Sequence, residues 1–143
     1  MWDAVSGLGA DLLRQGAWGL VSVFAVEMVR DAYHVASHLW QPLVKLHNWH
    51  HKAYRKDFSV VSPELYQKAQ LYNDVPESLV MMAVTAAVAA LTPLWGFWLG
   101  FVYATGFLGA ALLRSQGLLL ATDLTHEPGP LTTLPGLWCV NRT

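Results

Sequence analysis

Residues 33–51 read YHVASHLWQPLVKLHNWHH and hold five of the six histidines of this 143-residue chain. The five are His34, His38, His47, His50 and His51. Residues three or four apart lie on the same face of a helix. The spacing therefore predicts two helical segments, on either side of the Gln41-Pro42 pair, whose imidazoles converge.

Converging imidazoles indicate a transition-metal site, because neutral imidazole suits iron, zinc, copper and nickel. Asp31 lies one turn before His34 and could accept an imidazole N–H, which would fix the tautomer of that ring. The alternative is a surface carboxylate beside Arg30. A solvated, histidine-rich interfacial helix is the alternative to metal binding as a whole. A haem needs only one or two axial histidines and leaves the His50-His51 pair unexplained.

The composition is that of a membrane protein. Hydrophobic residues make up 54% of the chain and charged residues 13%, against roughly 25% charged in a typical soluble domain. Seven tryptophans and five tyrosines suit the interfacial belts of a bilayer. The net charge of −1 gives no reason to expect a nucleic-acid partner. The length favours one domain over residues 1–143.

The pattern of apolar residues predicts the helices. Residues 17–39 form a helix of about 35 Å, of which the first half is membrane-buried and the second half leaves the hydrocarbon or faces a polar cavity. Pro42 suits the first turn of a second helix over residues 43–54. Glu27, inside the apolar part, either hydrogen-bonds within the site or snorkels to the interface.

A helical hairpin follows. The 35 residues from 79 to 113 carry no charge, which is too long for one span and suits two short ones. We expect Asp74 to cap the first arm, residues 75–91, and Thr92-Pro93 to form the corner. The return arm is expected over residues 94–121, where four glycines permit close helix contact. These are Gly96, Gly100, Gly106 and Gly109.

These elements together predict an all-α integral membrane bundle. It has about three transmembrane helices plus a separate histidine-bearing helix. Lysine and arginine outnumber acidic residues in the polar stretch 45–73, so the positive-inside rule places the histidines on the cytoplasmic side. The hairpin returns the chain to its starting side, which would bring His126 near the same membrane face.

The motifs carry a resemblance to a known family. Asp31-x-x-His34-x-x-x-His38 followed by His47-x-x-His50-His51 resembles the first two histidine boxes of the fatty acid hydroxylase/sterol desaturase superfamily. The resemblance implies an integral-membrane, non-haem di-iron enzyme that uses O₂ to hydroxylate or desaturate fatty acids, sterols or carotenoids. It implies two iron ions as cofactor, a lipid-like substrate and an external electron donor.

The resemblance also implies a ligand set. The stretch 123–130 resembles the histidine-bearing loop that follows the hairpin in that family, so His126 is expected as a ligand. The implied metal ligands are His34, His38, His47, His50, His51 and His126. The third His-x-x-His-His box does not occur before Thr143, so we expect a C-terminally incomplete, inactive fragment.

Other functions remain open at this point. The main alternative is a membrane metal-binding or metal-transport protein, and a structural fragment without activity is a third. Transporters carry ligands near the bilayer midplane, whereas residues 79–113 contain no histidine or carboxylate. For an enzyme, a lipid channel is expected between the first span and the hairpin. Aromatic residues that could line it are Trp95, Phe97, Trp98, Phe101, Tyr103 and Phe107.

Overall fold

The computed structural model describes residues 2–56 and 59–118. The α-helices of these ranges are α1 (Trp2–Leu39), α2 (Gln41–Ala53), α3 (Pro63–Ala69), α4 (Val75–Leu91) and α5 (Trp98–Ser115). A π-helical turn, Gln70–Asp74, joins α3 to α4, and a 3₁₀ turn, Trp95–Phe97, precedes α5. Within the described ranges no strand forms beyond a single antiparallel bridge between Tyr54 and Val60. The expected His126 and its loop at 123–130 lie outside the described residues.

Three helical segments are long and apolar enough to cross a membrane. They are Gly7–Leu39, Pro63–Leu91 and Trp95–Ser115. Large apolar side chains point outward from them, including Leu20 at 71% exposure and Leu91 at 85%, as a lipid-facing surface requires. The prediction of an all-α bundle with three spans is confirmed, and α2 is the separate helix that carries three histidines.

The first helix begins earlier than the sequence pattern indicated. It starts at Trp2, not at residue 17, because residues 2–16 contain no proline and their glycines are isolated among helix-forming residues. The Gln15 side chain also ties this part of α1 to the hairpin, since its Oε1 accepts from the Gly96 N–H at 3.0 Å.

The polar stretch contains a short helix that the sequence pattern did not indicate. Ser62 caps α3 by accepting the Leu65 N–H at 3.3 Å, with Pro63 in the first turn. The helix continues through the π turn into α4, so the prediction that Asp74 caps α4 is wrong. Asp74 is itself helical, and its carboxylate accepts the Asn73 amide at 2.6 Å instead.

The return arm also ends differently, at Ser115 rather than at residue 121. Gly117 has a φ of 72°, and its N–H donates to the Arg114 carbonyl while that of Leu118 donates to the Leu113 carbonyl. This is a Schellman C-cap, in which glycine supplies the left-handed residue.

Helix α1 closely approaches two glycines, Gly96 in the 3₁₀ turn and Gly100 in α5. A Cβ on Gly96 would overlap the Gln15 carbonyl, and one on Gly100 would lie 2.8 Å from the Ser22 carbonyl oxygen. The Gly100 N–H also donates to Ser22 Oγ at 2.8 Å. The expected close contact is confirmed at these two glycines. It is wrong for Gly106 and Gly109, which face open space.

The fold places the histidines at one end of the bundle. Helix α1 stops at Leu39 because Trp40 is extended, and Pro42 lies in the first turn of α2 as predicted. The hairpin corner packs beside Gln15 at the other end. Gln15 precedes His34 by 19 residues, or about 28 Å along a helix axis, which is close to the hydrocarbon thickness of a bilayer.

Candidate metal centre

The break between α1 and α2 folds the two histidine groups onto each other. His47 lies at the centre of the cluster. Its ring centroid is 4.6 Å from those of His34, His38 and His51, and 5.4 Å from that of His50. The structure therefore brings together all five histidines of residues 33–51.

Three of these rings form the tightest group. Ligand nitrogens of His34, His38 and His47 all lie within 4.8 Å of one another, and the Nε2 atoms of His34 and His38 are 3.3 Å apart. Two imidazole nitrogens that bind one ion at about 2.1 Å lie at most about 4.2 Å apart. Side-chain adjustments of well under an ångström would bring the three nitrogens onto a common ion.

His47 is held in one orientation by Asn73. The Asn73 Nδ2 donates to the Asp74 carboxylate at 2.6 Å, so its Oδ1 is left to face His47 Nδ1 at 2.8 Å. An amide oxygen only accepts, so Nδ1 carries the proton and Nε2 keeps its lone pair. Among the described residues, this buried Nε2 has no hydrogen-bond partner. A deprotonated ring nitrogen presented to other imidazoles is the arrangement expected of a metal ligand.

The environment also favours neutral rings. Burial lowers the pKa of His47, and the neighbouring His51 and His38 lower it further, although the hydrogen bond to Asn73 acts in the opposite direction. Burial and the nearby His38 likewise lower the pKa of His51. Because only the neutral imidazole binds a metal, both shifts leave these rings in the ligating form at neutral pH.

Asn73 is the residue of the candidate site that the sequence did not reveal. It lies 26 residues from His47 within the π turn, and π turns have no reliable composition signal although they often mark functional sites. Asp31, to which the sequence assigned the role of imidazole partner, is half-buried on α1. The role of Asp31 as an imidazole partner stays a prediction. His126 lies outside the described residues, so its role as a metal ligand also stays a prediction.

A polar cavity adjoins the histidine cluster. Its volume is about 210 Å³, and it lies among α1, α4, α5 and the π turn, with His50 in its wall. Arg30 forms ion pairs there with Glu27 at 3.3 Å and Glu77 at 3.6 Å. The Tyr103 hydroxyl donates to Glu27 at 2.6 Å. Glu27 therefore forms hydrogen bonds inside the protein and does not snorkel to the membrane interface.

Most of the other residues that line the cavity also carry a polar group. They include Tyr54, Tyr66, Gln70, Asp74, Ser78 and Arg114. Burial raises the pKa of the Tyr54 phenol, so its hydroxyl stays protonated and can donate a hydrogen bond. Among the expected channel aromatics, Tyr103 and Phe107 line this cavity. Trp95 and Trp98 face outward instead, where tryptophan suits the membrane interface.

Comparison with known proteins gives one curated relative of known activity. The monoglucosyldiacylglycerol epimerase of Synechocystis sp. (strain ATCC 27184 / PCC 6803 / Kazusa) is 53% identical over 137 residues, a match that covers 87% of this chain and 33% of the relative. By its name, that relative modifies a lipid. The chain spans about a third of its length.

No family model and no solved structure matches the chain. The resemblance to the fatty acid hydroxylase/sterol desaturase superfamily therefore stays a prediction from the histidine motifs.

Proposed function

We propose that this chain forms the metal-binding membrane part of a lipid-modifying enzyme. The observation that supports it most directly is His47, whose Nε2 is buried among four other imidazoles with its lone pair available. The three apolar helices place this cluster at the end of a candidate membrane bundle. The relative, which is 53% identical, is an enzyme named for a membrane lipid.

We propose iron as the ion, following the resemblance of the two histidine motifs to those of di-iron enzymes. His34, His38 and His47 would hold it, with His50 and His51 beside them. When bound, iron would supply Lewis-acid and redox chemistry at the membrane surface. Asn73 would hold His47 in the tautomer whose Nε2 can bind the ion. The surrounding helices exclude bulk water from that ring, which is 2% exposed.

The class of reaction divides into two possibilities. Hydroxylation or desaturation, as the resemblance implies, consumes O₂ and requires electrons from an external donor. Epimerisation, as the name of the relative states, changes the configuration of one carbon and leaves the atoms and electrons of the lipid unchanged. The first lipid to test is therefore a glucosylated diacylglycerol, with O₂ dependence measured separately.

The experiment is a lipid conversion assay in membranes that contain this chain joined to the remaining two thirds of the relative, because the chain alone spans about a third of that enzyme. Mass spectrometry separates the outcomes, because hydroxylation adds one oxygen, desaturation removes two hydrogens, and epimerisation leaves the mass unchanged while altering the sugar. We expect chelation to abolish conversion, Fe²⁺ to restore it, and His50→Ala to remove it. Asn48→Ala, on the exposed face of the same helix, is the matched control.

Conversion that survives both chelation and His50→Ala would overturn the proposal of a metal-dependent enzyme. Conversion that proceeds equally with and without O₂ would be compatible with the metal site but would exclude O₂ as a co-substrate.

A further inference from the structure

We propose that the polar cavity beside the histidine cluster binds the sugar headgroup of the lipid substrate. This inference rests on the proposed function, because it assumes that the protein acts on a lipid. It further states that the hydroxylated headgroup, and not an acyl chain, is the part of the lipid that lies beside the histidines.

The charges around the cavity favour a neutral, hydroxylated ligand. Its carboxylates belong to Glu27, Asp74 and Glu77, and its guanidinium groups to Arg30 and Arg114. Acidic groups thus outnumber basic ones, and Arg30 is already paired with two of the carboxylates. A phosphate headgroup would have to compete with the carboxylates that already pair with Arg30, whereas sugar hydroxyls can donate to carboxylates and accept from guanidinium and phenol groups.

Two buried polar atoms in the cavity wall need a partner. Within the described part of the chain, neither Gln70 Oε1 nor Arg114 Nε has a hydrogen bond, and Gln70 is 3% exposed. Leaving such groups unsatisfied costs free energy, and native proteins satisfy most of them with protein, water or ligand. An acyl chain offers them nothing, whereas a sugar carries hydroxyls that donate and accept.

The size of the cavity also favours a headgroup as its ligand. Its volume of about 210 Å³ lies below the ~300–1,000 Å³ of pockets that enclose drug-sized ligands. It therefore suits one compact headgroup and not a whole lipid. Tyr54, Tyr66 and Phe107 contribute aromatic rings to its walls, and such rings can pack against the apolar C–H face of a sugar.

The location links the cavity to the chemistry. His50 lines the cavity, and its ring centroid lies 5.4 Å from that of His47. A headgroup in the cavity would thus lie directly beside the imidazole cluster. The proposal therefore predicts that the protein modifies a carbon or oxygen of the headgroup.

The test measures lipid retention by metal-free protein in phosphatidylcholine nanodiscs, so the readout does not depend on catalysis. Native mass spectrometry compares monoglucosyldiacylglycerol, diacylglycerol and phosphatidylglycerol. We expect selective retention of the glucosylated lipid, weakened roughly threefold to tenfold by Gln70→Leu or Tyr103→Phe, the range of one hydrogen bond. Thr105→Val, on the exposed surface of α5, should change nothing.

Equal retention of the glucosylated lipid and diacylglycerol would overturn the inference. Preferential retention of phosphatidylglycerol would overturn it as well, since it would show an anionic headgroup site. So would wild-type retention by both cavity variants.

Metal content, measured on separately Fe²⁺-loaded samples, keeps the two proposals apart. If iron binds but glucosylated lipid is not selected, only the headgroup inference fails. If glucosylated lipid is selected but iron never binds, only the metal-dependent function fails.

Discussion

His47 Nδ1 lies 2.8 Å from Asn73 Oδ1, and this contact joins α2 to the π turn within the second candidate span. It orients the most buried ring of the histidine cluster before any ion is present. Because the Asn73 amide is itself held by Asp74, the tautomer of His47 follows from a chain of two hydrogen bonds. The polypeptide itself therefore orients this ring of the candidate metal centre.

Replacing Asn73 should weaken metal binding without unfolding the protein. Asn73→Leu removes the acceptor for His47 Nδ1, so the ring can turn or exchange tautomers. Loss of such an orienting partner typically lowers metal affinity 10–100-fold. Titration with Co²⁺, followed by its visible absorption, measures the affinity, and circular dichroism checks that the helices persist.

Asn48→Leu is the matched control, because Asn48 is an exposed asparagine next to His47 on α2. It should leave Co²⁺ affinity unchanged. Equal affinities for Asn73→Leu and Asn48→Leu would show that the Asn73 contact does not support the site.

Replacing a glycine of α5 with alanine should destabilise the protein only where that glycine packs against α1. Gly100→Ala forces a methyl group to within 2.8 Å of the Ser22 carbonyl oxygen, so we expect a loss of about 1–3 kcal/mol in the free energy of unfolding. Gly109→Ala meets open space and should be neutral or stabilising by up to about 1 kcal/mol. Unfolding in mixed detergent micelles measures both, and similar stabilities for the two variants would contradict the observed helix contact.

Arg30 should matter far more to stability than an arginine in an exposed ion pair. Arg30→Met leaves two buried carboxylates, Glu27 and Glu77, without their cation, and breaking a buried pair costs about 3–5 kcal/mol. Arg14→Met removes the exposed pair with Asp11, where the arginine is 63% accessible, and should cost no more than about 1 kcal/mol. Thermal denaturation in detergent compares them, and equal losses would be inconsistent with a buried network.

Cysteine labelling tests the arrangement of the bundle across the membrane. In a Cys139→Ser background, Lys45→Cys marks the histidine end and Pro93→Cys marks the hairpin corner. Since about 28 Å of helix separates these ends, an impermeant maleimide should label them from opposite faces of sealed vesicles. The positive-inside rule predicts that Lys45→Cys is the cytoplasmic one. Labelling of both from one face would rule out this membrane arrangement.

The sequence predicted those features that depend on local helical geometry. Histidine spacing fixed which rings share a face, and Pro42 marked the start of α2, because both effects act within a few residues. The start of α1 was missed because residues 2–16 are less uniformly apolar than the span that follows. Their helix is supported partly by a contact between Gln15 and Gly96, 81 residues away.

The polar cavity and the role of Asn73 were beyond prediction for a related reason. Both depend on the π turn, which rotates Gln70 and Asn73 inward where the sequence suggested a polar stretch before a capped helix. The Arg30–Glu77 ion pair likewise joins residues 47 positions apart in the chain. No periodic pattern in one sequence records such pairings.

The most direct test of the central claim is the metal content of the purified, Fe²⁺-loaded protein, with X-ray absorption to identify the ligand atoms. We predict retained iron with mostly nitrogen ligands in the wild-type protein, and at least a tenfold loss of retention in His47→Ala but not in Asn48→Ala. Iron that is absent after loading, or that is retained equally by His47→Ala, would contradict a metal centre at these histidines.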